Sequence, residues 1–313
     1  VANVLMRGNH IVGEAAIRAG CRFYFGYPIT PQNEKPEYMA GALAKLSDGV
    51  FVHAESELAA INMVIGSSMA GARVMTSSSS PGISLKQEGI SYLAALELPA
   101  VIVNMCRGGP GLGNIAPAQS DYFQATRGGG HGDYRNIVLA PSSCQELADL
   151  TMEAFELADM YRTPVLIFAD GMLGQMMEPV EFPPHTNPKK LPPKDWTLTG
   201  AKGRPGRVIR SLILDPVLEE EHNWKLMRKY ERIQKKEVKY ETSLLDDAKM
   251  VVVAFGTAAR IAKGAVNRVR EQGLKVGLLR PISLWPFPGK VLGELAKRVK
   301  LFLVFEMNMG QMV

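Results

Sequence analysis

Glu57 opens the apolar run LAAINMVIG, directly after a predicted strand, in the segment HAESE at 53–57. A carboxylate there lies near the positive end of a helix and is partly shielded from water. In that setting it can pass a proton to or from a ring nitrogen or a substrate. The same position also suits a simple capping carboxylate, and His53 suits a packed or capping histidine. The turn GYPITP (26–31) pins Thr30 between two prolines. A hydroxyl held that way either bonds a substrate carboxylate or carbonyl at small ordering cost, or caps the next helix. The segment TSSSSPGISL (76–85) puts Ser79, Pro81 and Gly82 in a hydroxyl-rich loop before a helix. Its hydroxyls and backbone N–H groups could hold an anion, although the GxxxxGK[ST] phosphate loop is absent. In CRGGPGLG (106–113), Arg107 emerges directly from an apolar strand. Its guanidinium either grips a carboxylate through two N–H groups or bonds loop carbonyls. His131, in GGGHGD (128–133), could gate a pocket or shuttle a proton.

Other chemistries lack their residues. No cluster has metal-ligand spacing, and no GxSxG elbow supports a serine nucleophile. The three cysteines, Cys21, Cys106 and Cys144, form no CxxC pair. They are too few for an iron–sulfur cluster, which takes four ligands, and they suit a reducing, cytoplasmic compartment.

The elements that must position these residues follow from the apolar pattern. Short runs at 21–25, 49–53, 72–76, 100–105, 136–140 and 164–169 read as strands. They are apolar throughout rather than alternating, as expected of a parallel sheet covered on both faces. Helical patterns lie between them at 58–70 and 144–160, the second with Ser142 or Ser143 as cap. The fold class is therefore α/β: a doubly wound parallel sheet over residues 1–185, whose ligands bind at the carboxyl ends of the strands. Residues 182–206 are rich in proline and glycine and read as a surface connector. Residues 213–245 read as a charged helical arm with Trp224, Met227, Tyr230 and Ile233 on one face. The linker and arm together occupy 186–246. A second α/β unit spans 247–313, with strands at 250–255, 275–279 and 300–305 and helices at 258–272 and 289–298. Three strands make an incomplete unit, so the full polypeptide is expected to be longer by roughly 40 residues on the usual size of domains.

The 313 residues suit two domains, and 46% hydrophobic with 21% charged residues is ordinary for a folded protein. No apolar stretch reaches the length of a membrane span. Charge divides unevenly. Residues 1–185 carry 11 Lys/Arg against 18 Asp/Glu, a net of −7, and residues 186–313 carry 25 against 13, a net of +12. Because much of the basic charge lies in the amphipathic arm, an acidic protein partner fits better than nucleic acid.

Three segments together resemble the alpha subunit of the 2-oxoacid:ferredoxin oxidoreductases, most closely the branched-chain, 3-methyl-2-oxobutanoate type. They are GNHIVGEAAIRAGCRFYFGYPITPQNE (8–34), HAESELAAINMVIGSSMAGARVMTSSSSPGISL (53–85) and VIVNMCRGGPGLG (101–113). RPISLWPFP (280–288) matches the family's second domain, itself similar to the carboxyl-terminal domain of transketolases. The resemblance implies a thiamine-diphosphate-binding fold whose first domain takes the aminopyrimidine ring. It implies that Glu57 shares a proton with a pyrimidine nitrogen, that Thr30 and Arg107 face the substrate, and that Ser79, Pro81 and Gly82 line the cofactor pocket. It implies oxidative decarboxylation of a 2-oxoacid to an acyl-CoA, with electrons passing through iron–sulfur clusters to ferredoxin. The chain has no GDG diphosphate motif and no ferredoxin-like cysteine run. Diphosphate and Mg²⁺ are therefore expected on a beta subunit, and the clusters on gamma or delta subunits. A 2-oxoglutarate-specific subunit, a transketolase-like carboligase and a non-catalytic assembly subunit remain the alternatives.

Overall fold

The computed structural model describes residues 3–182 and 191–313. Strand β1 (Val4–Arg7) leads into α1 (Gly8–Arg18), β2 (Phe23–Gly26), α2 (Glu34–Leu43), β3 (Val50–His53), α3 (Glu57–Met69), β4 (Val74–Ser78), α4 (Ser80–Ala95) and β5 (Ala100–Cys106). Next come α5 (Tyr122–Arg127), β6 (Ile137–Leu139), α6 (Cys144–Tyr161), β7 (Pro164–Asp170), α7 (Gly171–Gln175) and β8 (Met177–Val180). The rest is α8 (Pro216–Lys236), β9 (Tyr240–Ser243), β10 (Met250–Ala254), α9 (Gly256–Glu271), β11 (Val276–Pro281), β12 (Ser283–Trp285), α10 (Gly289–Ala296) and β13 (Leu301–Phe305).

The main sheet has seven strands in the order β12-β6-β7-β5-β4-β2-β3. Its strands run parallel except β12, which is antiparallel to β6. Helices cover both faces, so β5 and β7 are buried at every position, which is why they read as apolar without alternation. The strand expected at 72–76 runs instead from Val74 to Ser78. Ser77 and Ser78 enter the sheet interior, and the Ser77 hydroxyl finds Tyr24 Oη at 2.6 Å, which offsets its own burial.

A smaller sheet has the order β13-β10-β11-β9, parallel except β9. Helix α9 packs its alanines on Val252 and Ala254, and Leu295 of α10 packs with Val251 and Val253 on the opposite face. The arm expected to be helical over 213–245 is helical only over Pro216–Lys236. Its end, Tyr240–Ser243, is a strand of this sheet, with Ser243 opposite Leu278. Antiparallel pairing with β11 supplies the backbone bonds that a frayed helix end would lack. The face expected to be apolar is also divided. Leu226, Lys229, Tyr230 and Ile233 are buried, whereas Trp224 is 55% exposed. The i, i+3, i+4, i+7 set meets the body, and that set is rotated from the expected one. Of the expected connector, residues 183–190 lie outside the described residues, and 191–206 hold no helix or strand.

The two sheets are tied by the RPISLWPFP segment. Residues 283–285 leave the small sheet and add β12 to the edge of the large one, with Ser283 opposite Leu139. Beside them the buried guanidinium of Arg280 donates to Glu146 Oε1 (2.6 Å), Glu146 Oε2 (2.9 Å) and Glu241 Oε2 (2.9 Å).

Candidate functional site

The loops that carry Thr30, Glu57, the four serines and Arg107 all leave the carboxyl edge of the adjacent strands β5, β4, β2 and β3. Thr30 follows β2, Glu57 follows β3, the serine loop follows β4, and Arg107 follows β5. Parallel pairing makes this convergence unavoidable, since every strand in the group ends on the same side.

Glu57 is the first residue of α3, fixed by the Ser56 hydroxyl, which accepts the Ala59 N–H at 3.1 Å. The cap is therefore Ser56, and the Glu57 side chain is free of that task. It is 6% exposed and makes no hydrogen bond or ion pair among the described residues. Its neighbour is Gly82, in the first turn of α4: a side-chain carbon there would land on Glu57 Oε1 and Ser78 Oγ. The absent side chain lets the two helix starts meet around the carboxylate. Pro81 occupies the first turn, where no N–H is needed.

The four serines divide into two pairs. Ser77 bonds Tyr24 and Gln32, and Ser80 ties the loop to β5. The Ser80 hydroxyl takes the Arg107 N–H at 3.0 Å, while its backbone N–H donates to Asn104 Oδ1 at 3.2 Å. The hydroxyls of Ser78 and Ser79 are buried with no partner. Buried hydroxyls normally find partners, so two orphans beside an unpaired carboxylate mark a place built for a polar ligand.

Arg107 and Thr30 are brought together. The Arg107 guanidinium donates to the Thr30 carbonyl (2.9 Å) and to the Leu112 carbonyl (2.9 Å), leaving Nε without a partner. The cap of α2 is Asn33, not Thr30, and Thr30 is exposed at the turn. His131 does not join this group. It lines a cavity of about 310 Å³ with Tyr92, Asp133 and His222, beneath α8.

Sequence reasoning missed two buried lysines. Lys86 on α4 is fully buried and donates to Thr76 Oγ1 at 3.0 Å. Burial pulls it down to about 8, and the Glu57 charge resists the fall. Lys35 on α2 is fully buried, its Nζ has no hydrogen-bond partner, and burial pulls it down to about 7. The available signal for Lys86 was a charged residue on the stripe Ile83, Lys86 and Ile90 of an otherwise apolar helix face.

An open parallel sheet with an unpartnered buried carboxylate and free hydroxyls at its carboxyl edge defines an α/β ligand-binding chain. Residues 14–242 match the family model described as pyruvate flavodoxin/ferredoxin oxidoreductase, thiamine-diphosphate-binding, and residues 248–313 match pyruvate:ferredoxin oxidoreductase core domain II. The chain belongs to the 2-oxoacid:ferredoxin oxidoreductase family. It is 52% identical over 312 residues to ketoisovalerate oxidoreductase subunit VorB of Methanothermobacter marburgensis, covering 100% of this chain and 88% of that protein. It is 40% identical to 2-oxoglutarate synthase subunit KorA of Archaeoglobus fulgidus, covering 99% and 89%. Among solved structures, 2-oxoglutarate:ferredoxin oxidoreductase from Magnetococcus marinus, with 2-oxoglutarate, coenzyme A and succinyl-CoA bound, superposes with a TM-score of 0.88 at 28% identity. That match covers 99% of this chain and 59% of the other, so this chain spans well under two thirds of it. A split-gene transketolase shares the fold, with a TM-score of 0.55 at 14% identity over 96% of this chain and 79% of that one. Among the described residues, no helix is long and apolar enough to cross a membrane.

Proposed function

We propose that this chain is the pyrimidine-binding subunit of a thiamine-diphosphate-dependent enzyme that oxidatively decarboxylates a branched-chain 2-oxoacid. Per turnover, the oxoacid and coenzyme A give an acyl-CoA and CO2, and two electrons leave singly for ferredoxin. The observation that carries the reading is the Glu57 carboxylate, buried and unpaired beside the orphan hydroxyls of Ser78 and Ser79. The 52% identity to a ketoisovalerate subunit, against 40% to a 2-oxoglutarate subunit, favours the branched-chain substrate.

The residues present fit thiamine diphosphate, with Glu57, Ser79, Pro81 and Gly82 lining the seat of its pyrimidine. When bound, the cofactor would supply the nucleophilic centre and the electron sink that decarboxylation of a 2-oxoacid requires. Glu57 holds and returns a proton at the pyrimidine nitrogen, in a pocket where water does not compete for it. The unpartnered hydroxyls of Ser78 and Ser79 would offer hydrogen bonds to the polar atoms of the ring. Thr30 presents its hydroxyl to the oxoacid, and Arg107 holds the turn behind it and lends positive charge for the substrate carboxylate. A beta subunit supplies the diphosphate and Mg²⁺ site, and gamma or delta subunits supply the iron–sulfur clusters. The complex works in the cytoplasm.

The test is viologen reduction by the assembled complex over a panel of 2-oxoacids, with wild type and Glu57→Gln. Turnover is expected to be highest with 3-methyl-2-oxobutanoate and to fall at least about 100-fold in the variant. Undiminished turnover in Glu57→Gln overturns the role of Glu57, and preference for 2-oxoglutarate overturns the substrate.

A further inference from the structure

A second cleft lies beneath α8, at the amino edge of the main sheet. The loop before β6 and the end of α4 both reach it. Helix α4 separates this cleft from the site of Glu57: Gly82, near its start, meets Glu57, whereas Ser91, Tyr92 and Ala95, near its end, line the cleft. At 1.5 Å per residue the two places are roughly 15–20 Å apart along the helix. The cleft consists of two cavities, of about 310 and 640 Å³, which share Asp133, Glu219 and Asn223 as lining residues.

The lining of the larger cavity is acidic and aromatic. Asp133, from the loop before β6, and Glu219 and Glu220, from the start of α8, face one cation, Arg135. None of the three carboxylates has an ion-pair partner among the described residues, and the Arg135 guanidinium donates to the Tyr134 carbonyl at 2.7 Å. Glu220 accepts Trp224 Nε1 at 3.3 Å and so steadies an indole that is 55% exposed. Trp285 of β12 lines the same cavity. So does Tyr230, set edge-on to Trp285 with ring centres 5.8 Å apart. Tyr230 is 2% exposed, and its hydroxyl has no hydrogen-bond partner. A buried hydroxyl of that kind calls for a polar ligand. Unpaired carboxylates attract a cation, indole faces hold one through their π electrons, and a phenol oxygen accepts its N–H. An anion would meet repulsion at the same groups.

We propose that this cleft binds a linear organic cation of the di- or polyamine class. Its ammonium groups pair with Asp133 and Glu219, and its chain lies against Trp224. The ligand bridges α8, the loop before β6 and β12, and so braces the arm against the body of the chain. Binding to the folded state alone stabilises that state by mass action. The proposal is independent of the reading of Glu57, since no residue of the cleft belongs to the cofactor site.

The experiment titrates the assembled complex with spermidine by isothermal calorimetry at low ionic strength, with hexanediol as the uncharged control. Wild type is expected to bind spermidine saturably and to ignore the diol. Asp133→Asn and Trp224→Ala are each expected to weaken binding about tenfold, the size of one charge-assisted hydrogen bond or one cation–π contact. Both side chains are exposed, so neither change threatens the fold. Viologen reduction without spermidine is expected to be the same in both variants as in wild type. Spermidine is also expected to raise the melting temperature of the wild-type complex, and to raise it less in either variant. No saturable binding to wild type, binding unaltered in either variant, or binding matched by the diol overturns the proposal. Binding unaltered in both variants would place spermidine on the acidic surface at large.

Discussion

The guanidinium of Arg107 donates to the main-chain oxygen of Thr30 at 2.9 Å, joining two residues 77 positions apart. The second arm of the same guanidinium takes the Leu112 carbonyl, also at 2.9 Å. One side chain therefore fixes the turn after β2 against the loop after β5, and the presentation of Thr30 depends on it. Arg107→Lys places a single ammonium where a planar fork spanned two carbonyls. One of the two part-buried acceptors then loses its charged donor, at a cost of about 1.5 kcal/mol. The expected result is a KM for the oxoacid raised about tenfold or more with a smaller change in kcat, read by steady-state viologen reduction. An unchanged KM would remove Arg107 from the substrate site.

Gly82→Ala tests the seat of the cofactor. The added carbon would meet Glu57 Oε1 and Ser78 Oγ, so the carboxylate must move aside. Overpacking of this kind costs about 1–3 kcal/mol. Weaker binding of thiamine diphosphate than in wild type is expected by fluorescence titration, alongside a lower melting temperature. Full affinity in the alanine variant would show that Glu57 has no part in holding the ring.

One buried carboxylate pairs with two cations of the arm. Glu97, 8% exposed, pairs with Lys225 and with Lys229 (3.3 Å), and Lys229 also donates to the Arg162 carbonyl at 3.1 Å. Burial disfavours the Glu97 charge, but Lys229, Lys225 and Arg162 together hold its carboxyl below the ordinary value. A lowered carboxyl contributes stability above the unfolded value, about 4.3, and loses it as pH falls through the lower folded value. Glu97→Gln strands the Lys229 charge and is expected to cost about 3 kcal/mol at pH 7. That difference shrinks as the pH drops below about 4, where wild type loses the same pairing. Urea unfolding at both pH values checks it, and equal differences at the two would refute the assignment.

All three cysteines are free and buried, and burial pushes the thiols of Cys21, Cys106 and Cys144 up to about 12. A thiol that high carries almost no thiolate near neutrality and reacts slowly. Iodoacetamide at pH 7.5 is expected to leave all three unlabelled in the native chain and to label all three in denaturant, as seen by peptide mass mapping. Labelling of Cys106 in the native complex would show that its surroundings open.

Much of the architecture was legible because burial writes itself into residue type. The fully buried strands β5 and β7 are apolar at nearly every position, and Ser143 caps α6 with the Glu146 N–H at 3.1 Å. Local rules of this sort need only neighbours in sequence. The end of the arm was not legible, since YETS becomes a strand only because β11 offers an unpaired edge. Nor was β12, which pairs with β6 from more than a hundred residues away.

The sequence alone determined the candidate residues: a carboxylate at a helix start, a threonine in a proline turn, a serine loop and an arginine after a strand. Each reading needed only its own segment. Tertiary structure alone decided which of them meet and what each is free to do. It set Gly82 against Glu57, spent Arg107 on the Thr30 carbonyl, left the hydroxyls of Ser78 and Ser79 without partners, and buried Lys86 behind the site. The physical reason is that hydrogen-bond partners and electrostatic neighbours are properties of distance in space. Parallel strands carry residues remote in sequence to one common edge.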